Sequence, residues 1–262
     1  MSFTTDTSFV RERGVYHSEI RPGWDIMGNA NGGYLMAIAA RAMGDVSRPH
    51  PISVSAHFLS PGKPGPVSIS PTIVKQGRNF STVRASMVGP EKPIIELLGS
   101  FGELSSADNA VLVDAEPPDL PAPDECVARE RPSSGAPPPF IDKLDIRLHP
   151  EDALFYENRP SGRPLMRGWI KMADDEPIDA FGLLLVADVF PPTIFNADLP
   201  RAWVPTLEMT SHVRGLPEPG WLRCQFSTRF VTGGFLEEDG EVWDASGKLV
   251  VQSRQLALMP RT

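Results

Sequence analysis

An acidic residue stands at the end of a strongly apolar run in the second half of the sequence. Asp188 directly follows Leu-Leu-Leu-Val-Ala, a run that predicts a buried helix. Carboxylates are almost never fully buried unless they are paired or hydrogen-bonded, so this one needs a partner. A carboxylate held in its ionised form by hydrogen bonds can take a proton from water, as a general base does. The alternative is an aspartate at a helix end that reaches solvent or bonds a loop amide.

A glycine pair in the first half offers a second kind of chemistry. Asn31, Gly32 and Gly33 stand just before an apolar helix. Backbone N–H groups at a helix N-terminus are donors for a developing negative charge, and glycines let a carbonyl group approach the backbone closely. An ordinary turn with a good N-cap is the alternative.

One apolar helix followed by four strands occurs twice along the chain. The helices are predicted within 28–43 and 178–190, and each precedes four segments of alternating or β-branched residues separated by Gly and Pro. The repeat has a near-constant offset of 155 residues, which relates His57 to His212 and Gly65 to Gly220. A duplicated unit explains this better than two unrelated small α+β domains. Because the two histidines occupy equivalent positions, we expect them to be structural.

A long apolar helix followed by antiparallel strands predicts an α+β fold in which a curved sheet wraps the helix. Between 107 and 150 the sequence holds nine of the 28 prolines and few large apolar side chains, which is typical of a linker. We therefore predict an N-terminal unit at 1–106, a proline-rich linker at 107–139 and a C-terminal unit at 140–262.

These segments together resemble the acyl-CoA thioesterase II (TesB-type) family, over nearly the whole chain. The resemblance rests on the order and spacing of short pieces: NGGYLMAIAA, AHFLSPG, QGRNFSTVRA and LLGSF, then LVADVFPPTIF, VPTLEMTSH, GWLRCQF and GKLVVQSRQLALMP. It implies a double hotdog fold, with two tandem units that each wrap a central helix in a curved antiparallel sheet. It also implies hydrolysis of a fatty-acyl-CoA, or a related acyl thioester, to free acid and CoA. Coenzyme A is then part of the substrate, and neither a separate cofactor nor a metal is expected.

The resemblance further implies three catalytic residues that position the attacking water. The family's helix aspartate corresponds to Asp188, its strand threonine to Thr206 and its last-strand glutamine to Gln255. We expect the Thr206 hydroxyl and the Gln255 amide to donate hydrogen bonds to the Asp188 carboxylate and so to favour its ionised form. Thr210 is close in sequence, but the spacing to Asp188 favours Thr206. Judged alone, Thr206 is better explained as a strand-start cap and Gln255 as an exposed edge residue. The segment LEMTSHV departs from the more aromatic, His-rich run of enterobacterial members, so the acyl pocket need not accept the same chain lengths.

A comparison of the two helices predicts a single working site. Ala40 stands two helical turns after Gly33, and Phe181 stands two turns before Asp188. The first half therefore keeps the glycine turn without the acid, and the second keeps the acid without the glycines. We expect Gly32 and Gly33 to meet Asp188 at one site, with their amides aimed at the oxyanion, and a degenerate site at Phe181 and Ala40.

Composition and charge limit the kinds of ligand and partner that we expect for this protein. A net charge of −8 opposes nucleic-acid binding, although Arg78 in QGRNF could meet a CoA phosphate; a solvated loop arginine is the alternative. No stretch reaches the roughly 18 uncharged apolar residues of a membrane span, so we expect a cytoplasmic protein without a membrane partner.

Cys126 and Cys224 lack the spacing of zinc ligands, and we expect neither to have a functional role. A homodimer is expected, since double hotdog units commonly pair.

Two other functions stay open at this point. A hotdog enoyl-CoA hydratase or dehydratase would normally show an Asp and a His in a G-D-x-N-P-x-H-like segment, which the sequence lacks. A non-catalytic acyl-CoA or acyl-ligand binding protein would not need Asp188, Thr206 and Gln255 together. No G-x-S-x-G elbow or phosphate-binding glycine loop is present.

Overall fold

The computed structural model describes residues 2–105, 110–129, 139–199 and 203–259. In the first half, a long helix is followed by four long strands. The elements are α1 (Phe3–Asp6), β1 (Val10–Glu12), β2 (Val15–Ile20), β3 (Asp25–Ile26), β4 (Asn29–Ala30), α2 (Gly32–Asp45), β5 (His50–Phe58), β6 (Gly65–Gln76), β7 (Ser81–Val88) and β8 (Pro93–Gly102).

The second half repeats this order with a much shorter helix. Its elements are β9 (Val127–Ala128), β10 (Leu144–Leu148), β11 (Leu165–Met172), α3 (Gly182–Val186), β12 (Thr206–Val213), β13 (Leu222–Ser227), β14 (Val231–Thr232), β15 (Phe235–Trp243) and β16 (Leu249–Leu258). Three short 3-10 helices lie at Pro139–Asp142, Leu154–Glu157 and Thr193–Asn196.

Fourteen strands form one antiparallel sheet that runs through both halves. Within the described residues its order is β1-β2-β6-β7-β8-β5-β12-β16-β15-β13-β11-β10-β9, with β14 paired to β15, while β3 and β4 form a separate ribbon. The halves join where β5 pairs with β12. The predicted order of a helix and four long strands is therefore present twice around a single sheet, and both helices are largely buried.

The join shows the duplication directly. Ser55 and Thr210, which are 155 residues apart, face each other across β5 and β12, and their hydroxyl oxygens are 2.8 Å apart. Gly65 and Gly220, related by the same offset, both have positive φ angles, of 138° and 119°. An approximate twofold relation thus passes between Ser55 and Thr210, as a duplicated unit requires. This is the double hotdog architecture that the sequence predicts.

Helix α2 is the centre of the core. Asn31 caps it, since its Oδ1 accepts a hydrogen bond from Tyr34 N at 2.9 Å. Eleven of its fourteen residues are buried, which fits an apolar sequence rich in good helix formers.

Helix α3 is shorter than predicted. The apolar run suggests a helix over 178–190, but the structure has one only at Gly182–Val186. Asp179 accepts hydrogen bonds from Phe181 N and Gly182 N at 3.0 and 2.7 Å and so caps its start. Pro191 and Pro192 cannot extend a helix, because proline lacks an N–H and disfavours helical geometry in the preceding residue. The predicted length of this helix is therefore wrong.

Strands outside the predicted set complete each half. β2 and β11 precede the helices and flank β6 and β13. Within the proposed linker at 107–139, β9 pairs with β10, and Pro121 O accepts a hydrogen bond from Trp169 Nε1 at 2.9 Å. Residues 107–109 and 130–138 of that segment lie outside the described part of the chain, and its role as a linker stays a prediction.

Candidate active site

A cavity of about 510 Å³ lies between the two halves. Its walls come from the start of α2, the segment after β5, the segment after α3, the start of β12, and strands β15 and β16. The volume is typical of small-molecule sites, which run from about 300 to 1,000 Å³. Five predicted site residues line it: Asn31, Gly32, Asp188, Thr206 and Gln255.

Asp188 bridges the two halves. Its Oδ2 accepts hydrogen bonds from Gly33 N at 2.8 Å and from Asn31 Nδ2 at 2.9 Å. Asn31 Nδ2 also contacts the Asp188 carbonyl oxygen at 3.0 Å. The structure thus brings the acid of the second half against the glycine turn of the first. The carboxylate's hydrogen bonds come from Asn31 and Gly33, whereas the sequence predicted Thr206 and Gln255 as its donors.

The two glycines are needed because α3 and Asp188 approach them closely. A Cβ on Gly33 would lie 2.5 Å from Leu184 O, and one on Gly32 would lie 2.8 Å from the Phe58 ring and 3.0 Å from Asp188 Oδ2. The sequence interpretation gave these glycines the task of admitting a substrate carbonyl, but here they admit the acid. Their role as oxyanion donors stays a prediction.

Burial raises the pKa of Asp188 from 3.8 to about 7. Loss of hydration is the largest cause, and the negative charge of Glu238 adds to it, while hydrogen bonds from Gly33, Asn31 and Gly32 favour the ionised form. A carboxylate with a pKa near neutrality is suited to general base catalysis, because a substantial fraction is ionised and basic at neutral pH.

A β-bulge orients Thr206. Thr206 pairs with Ala257 and Glu208 with Leu256, so two steps along β12 match one step along β16 and Leu207 is the extra residue. A regular strand would put Thr206 on the same face as Glu208. The bulge instead turns Thr206 into the cavity, as bulges beside functional sites commonly do.

The bulge also separates Thr206 from Thr210. Thr206 Oγ1 donates to Gln255 Oε1 at 2.9 Å. Thr210 Oγ1 instead donates to Glu208 Oε1 at 2.6 Å and lies outside the cavity wall. The structure therefore brings Thr206, and not Thr210, together with Gln255.

A second acid, Glu238, completes this network. Gln255 Nε2 donates to Glu238 Oε1 at 2.9 Å, and Thr193 N donates to Glu238 Oε2 at 2.8 Å. Glu238 lines the cavity and is only 6% exposed. Burial raises its pKa, against hydrogen bonds from Thr193 and Gln255 that lower it.

Sequence reasoning missed Glu238 because it stands between two other acids, Glu237 and Asp239, in a run typical of a solvated surface. A signal was available. In an alternating strand, Glu238 shares a face with Leu236 and Val242, and all three are buried.

Three other predicted residues lie away from the cavity. Arg78 is exposed on the turn between β6 and β7, where its carbonyl accepts a hydrogen bond from Arg48 at 2.6 Å. Its contact with CoA stays a prediction. His57 and His212 are exposed on the strands at the join, outside the cavity wall.

The position expected to be degenerate is filled by side chains. Phe181 packs its ring against Gly44 and lies beneath the Arg41 guanidinium, 4.7 Å from the ring centroid. Arg41 Nη2 also pairs with Asp179 Oδ2 at 2.7 Å, and Ala40 is fully buried. Where the cavity has an acid facing glycines, this position has an aromatic ring and an ion pair.

One group of side chains has the composition of a metal site. The nearest ligand atoms of His149, Glu151 and Asp152 lie within 4.8 Å of one another. Arg167 already donates to Asp152 through Nε at 2.8 Å and lies 3.5 Å from Glu151. A guanidinium in this position supplies the positive charge that a metal would bring.

Fold and site together define a double hotdog protein with an acid placed between its halves. Residues 20–102 match the family model of the acyl-CoA thioesterase N-terminal domain, and residues 123–259 match that of the C-terminal domain. The chain therefore belongs to the acyl-CoA thioesterase family, and it is an acyl-CoA thioesterase. The family predicted from the sequence is confirmed.

Individual relatives are similar to this chain over almost its full length. A presumed thioesterase II from Thermobifida fusca YX is 30% identical with a TM-score of 0.89, over 99% of this chain and 97% of that one. A hot dog fold protein of unknown function from Alicyclobacillus acidocaldarius has a TM-score of 0.84 at 20% identity, over 99% and 98% of the chains. An uncharacterised protein of Mycobacterium tuberculosis H37Rv is 28% identical over 94% of this chain and 91% of its own. In the described part of the chain, no helix has the length and apolar character of a membrane span.

Proposed function

We propose that this protein hydrolyses a fatty-acyl-CoA, or a related acyl thioester, with a water molecule activated by Asp188. The observation that carries the proposal is the placement of Asp188. Its carboxylate has a pKa raised to about 7, is held through one oxygen by the first turn of α2, and lines the cavity between the halves.

The directions of the hydrogen bonds suggest how the water is held. Because Asn31 and Gly33 both donate to Oδ2, Oδ1 is the oxygen offered to the water. The Thr206 hydroxyl gives its hydrogen to Gln255, so Thr206 Oγ1 can accept a hydrogen from the water. A water that donates to Asp188 and to Thr206 directs a lone pair away from both, towards a carbonyl carbon in the cavity.

The chemical steps follow from this arrangement. Asp188 takes a proton from the water as the oxygen adds to the thioester carbonyl carbon. The C–S bond then breaks, and the proton passes to the sulfur, which leaves as the CoA thiol beside the free acid. General base catalysis of this kind contributes about 10²- to 10⁴-fold in rate.

The oxyanion would form near the start of α2, where the helix dipole favours negative charge. The N–H groups of both glycines favour the ionised form of Asp188, and Gly33 N donates to its Oδ2 at 2.8 Å, but of the two glycines it is Gly32 that lines the cavity. We therefore propose Gly32 as the principal oxyanion donor of the three predicted residues.

The cavity walls favour an uncharged acyl group. Six aromatic side chains line it: Phe58, Phe155, Tyr156, Phe190, Phe195 and Trp203. Arg129 also lines it, but its Nη1 donates to Val189 O at 2.8 Å and its guanidinium stacks on Phe140 at 5.0 Å. Because Arg129 already has these contacts, we expect a plain acyl-CoA to be a better substrate than one that ends in a carboxylate.

Lys63 is a second candidate for contact with CoA, besides Arg78. Its Nζ lies 2.6 Å from Asn29 Oδ1, and Asn29 lines the cavity. We expect Lys63→Ala to raise KM for acyl-CoA while kcat is kept. The same measurement on Arg78→Ala decides between the two cations.

A CoA-release assay with Asp188→Asn as the comparison tests the proposed function. An asparagine oxygen can still accept the hydrogen bonds of Asn31 and Gly33, so the variant is expected to fold while losing at least about 100-fold in kcat. Wild-type protein should release thiol from saturated acyl-CoAs of increasing chain length. If Asp188→Asn hydrolyses them as fast as wild type, the catalytic assignment is wrong.

The same assay separates the two alternatives. A hydratase would change the absorbance of an enoyl-CoA without releasing thiol, and a binding protein would do neither. No histidine is among the described residues that line the cavity, and the hydratase reaction considered above calls for one.

We further propose that the protein is a cytoplasmic homodimer. Strand β1 lies at one end of the sheet with all three of its residues exposed, so its outer edge offers unpaired backbone groups. Light scattering after gel filtration tests the dimer, and a monomeric mass contradicts it.

A further inference from the structure

We propose that Glu238 is a positioning residue of this site, whose carboxylate locks the Gln255 amide in the orientation that makes Thr206 an acceptor for the attacking water. This inference rests on the proposed function, because it concerns the same water molecule. Glu238 acts through Gln255 and is not itself given a chemical step.

The two side chains are placed to interact. Glu238 and Gln255 are direct cross-strand partners on β15 and β16. Glu238 Oε1 accepts from Gln255 Nε2 at 2.9 Å, and Oε2 accepts from Thr193 N at 2.8 Å. Since Glu238 is only 6% exposed, water offers little replacement for either bond, and a buried polar group without a partner is costly.

An ionised Glu238 leaves Gln255 one favourable orientation. If the amide were rotated by half a turn, its oxygen would face the carboxylate, and two buried acceptors would oppose each other. In the observed orientation, Oε1 faces Thr206 and accepts its hydroxyl hydrogen at 2.9 Å. The lone pairs of Thr206 Oγ1 are then available to the water, which is the state that the mechanism requires.

Only a carboxylate satisfies both donors on Glu238. A glutamine at this position would have one acceptor and one NH2 group for two N–H partners. The NH2 group of that glutamine would face either Thr193 N or Gln255 Nε2, so that two hydrogen-bond donors would oppose each other. Glu238→Gln therefore frees or inverts the Gln255 amide while changing few atoms.

The charge of Glu238 gives a second readout. It raises the pKa of Asp188, while the neutral groups of Asn31, Gly32 and Gly33 lower it. Among the described residues that line the cavity, Arg129 is the cation, and it is unchanged in the variant. Removal of the charge at Glu238 should therefore move the acid limb of the rate profile to lower pH.

The chain offers a matched control in Glu237. It lies next to Glu238 on β15 and also accepts two backbone N–H bonds, from Arg229 and Phe230, both at 2.9 Å, but outside the cavity wall. We expect Glu238→Gln to lower kcat by about 10- to 100-fold with KM nearly unchanged. Glu237→Gln should keep the kcat and pH profile of wild type. A wild-type kcat in Glu238→Gln overturns the inference.

A double variant tests whether Glu238 acts through Gln255. If it does, then at a pH where Asp188 is fully ionised, Gln255→Ala combined with Glu238→Gln is no slower than Gln255→Ala alone, because the amide to be positioned is already gone. Losses that multiply in the double variant would show an independent role for Glu238 and overturn the inference.

A measurement on wild-type protein needs neither a folded variant nor turnover. In NMR spectra, the Gln255 side-chain amide should show one proton shifted downfield and protected from exchange, with both features lost as Glu238 is protonated. Gln252 on the same strand is the reference, since its oxygen accepts from Arg214. A Gln255 amide as unprotected as that of Gln252 contradicts the role of Glu238. Absence of CoA release by wild type contradicts the proposed function alone.

Discussion

Gly33 donates its backbone N–H to Asp188 Oδ2 at 2.8 Å, which joins the first turn of α2 to the second residue after α3. The two residues belong to different halves of a duplicated chain. The bond favours the ionised carboxylate, whereas burial favours the protonated one, and burial dominates. The pKa of about 7 that results has consequences for rate and for stability.

The rate should depend on pH with a midpoint near 7. If ionised Asp188 is the base, kcat/KM rises as pH increases through the pKa of the free enzyme and then levels off. The check is kcat/KM for one soluble acyl-CoA between pH 5 and 9, corrected for spontaneous hydrolysis. A profile that is flat across pH 6–8 would remove Asp188 as the titrating base.

The free energy of unfolding should fall as pH rises, whereas the rate should increase. The folded-state pKa of Asp188 lies above the unfolded value of about 3.8, so the folded protein binds this proton more tightly. Ionising Asp188 between about pH 4 and pH 7 therefore costs stability, and the cost is complete above pH 7. We expect Asp188→Asn to be more stable than wild type at pH 8, by on the order of 2 kcal/mol, and less distinguishable at pH 5.

Thermal unfolding measures this difference, with a rise of about 2–4 °C in Tm expected for each kcal/mol in a chain of this size. The comparison at pH 5 is the internal control, because wild-type Asp188 is then largely protonated. If Asp188→Asn is less stable than wild type at pH 8, the folded site does not disfavour the ionised form of Asp188.

The two glycines should respond differently to alanine. On Gly33, the added methyl meets the backbone of α3, 2.5 Å from Leu184 O, so the helices must separate. On Gly32, it meets the Phe58 ring at 2.8 Å, which can rotate, and Asp188 Oδ2 at 3.0 Å. Overpacking typically costs about 1–3 kcal/mol, and we place Gly33→Ala at or above the upper end of this range and Gly32→Ala near the lower end.

Chemical denaturation and turnover together check this order. Gly32→Ala should keep most of its stability and lose activity, because its methyl displaces the carboxylate. A Gly33→Ala protein with wild-type stability would contradict the close approach of α2 and α3.

The strands and the duplication could be predicted because they depend on local patterns. Alternation and Gly or Pro breaks located eight of the nine described strands that follow the helices, missing the two-residue β14, and the offset between His57 and His212 gave the internal symmetry. The extent of α3 could not be predicted from hydrophobicity, since the apolar run spans 178–190 whereas the helix spans only Gly182–Val186. Apolar character specifies burial, and backbone hydrogen bonding decides the length of the helix.

The hydrogen-bond partners within the site depend on strand register and on a bulge, and local sequence patterns do not give either. A glutamine donating to a carboxylate was anticipated, but its partner is Glu238 across the sheet and not Asp188. The orientation of Thr206 depends on a bulge at Leu207, and simple alternation would have turned it outward. Such contacts are set by strand register, which one sequence specifies only through the whole sheet.

Thr206 and Thr210 provide the sharpest test of that bulge. Both are threonines on β12 with hydrogen-bonded hydroxyls, but only Thr206 lines the cavity. Thr206→Val keeps the shape and removes the group that accepts from the water, so kcat should fall by about 10- to 100-fold. Thr206→Ser restores the hydroxyl and should recover most of the rate.

Thr210→Val is the matched control. It removes hydroxyl contacts to Ser55 and Glu208 at the join, so it should cost about 0.5–1.5 kcal/mol of stability without lowering kcat. Steady-state kinetics and thermal unfolding on the three variants separate the two effects. If Thr210→Val lost activity and Thr206→Val kept it, the bulge would not orient the catalytic threonine, and the water would have to be held from the other side of β12.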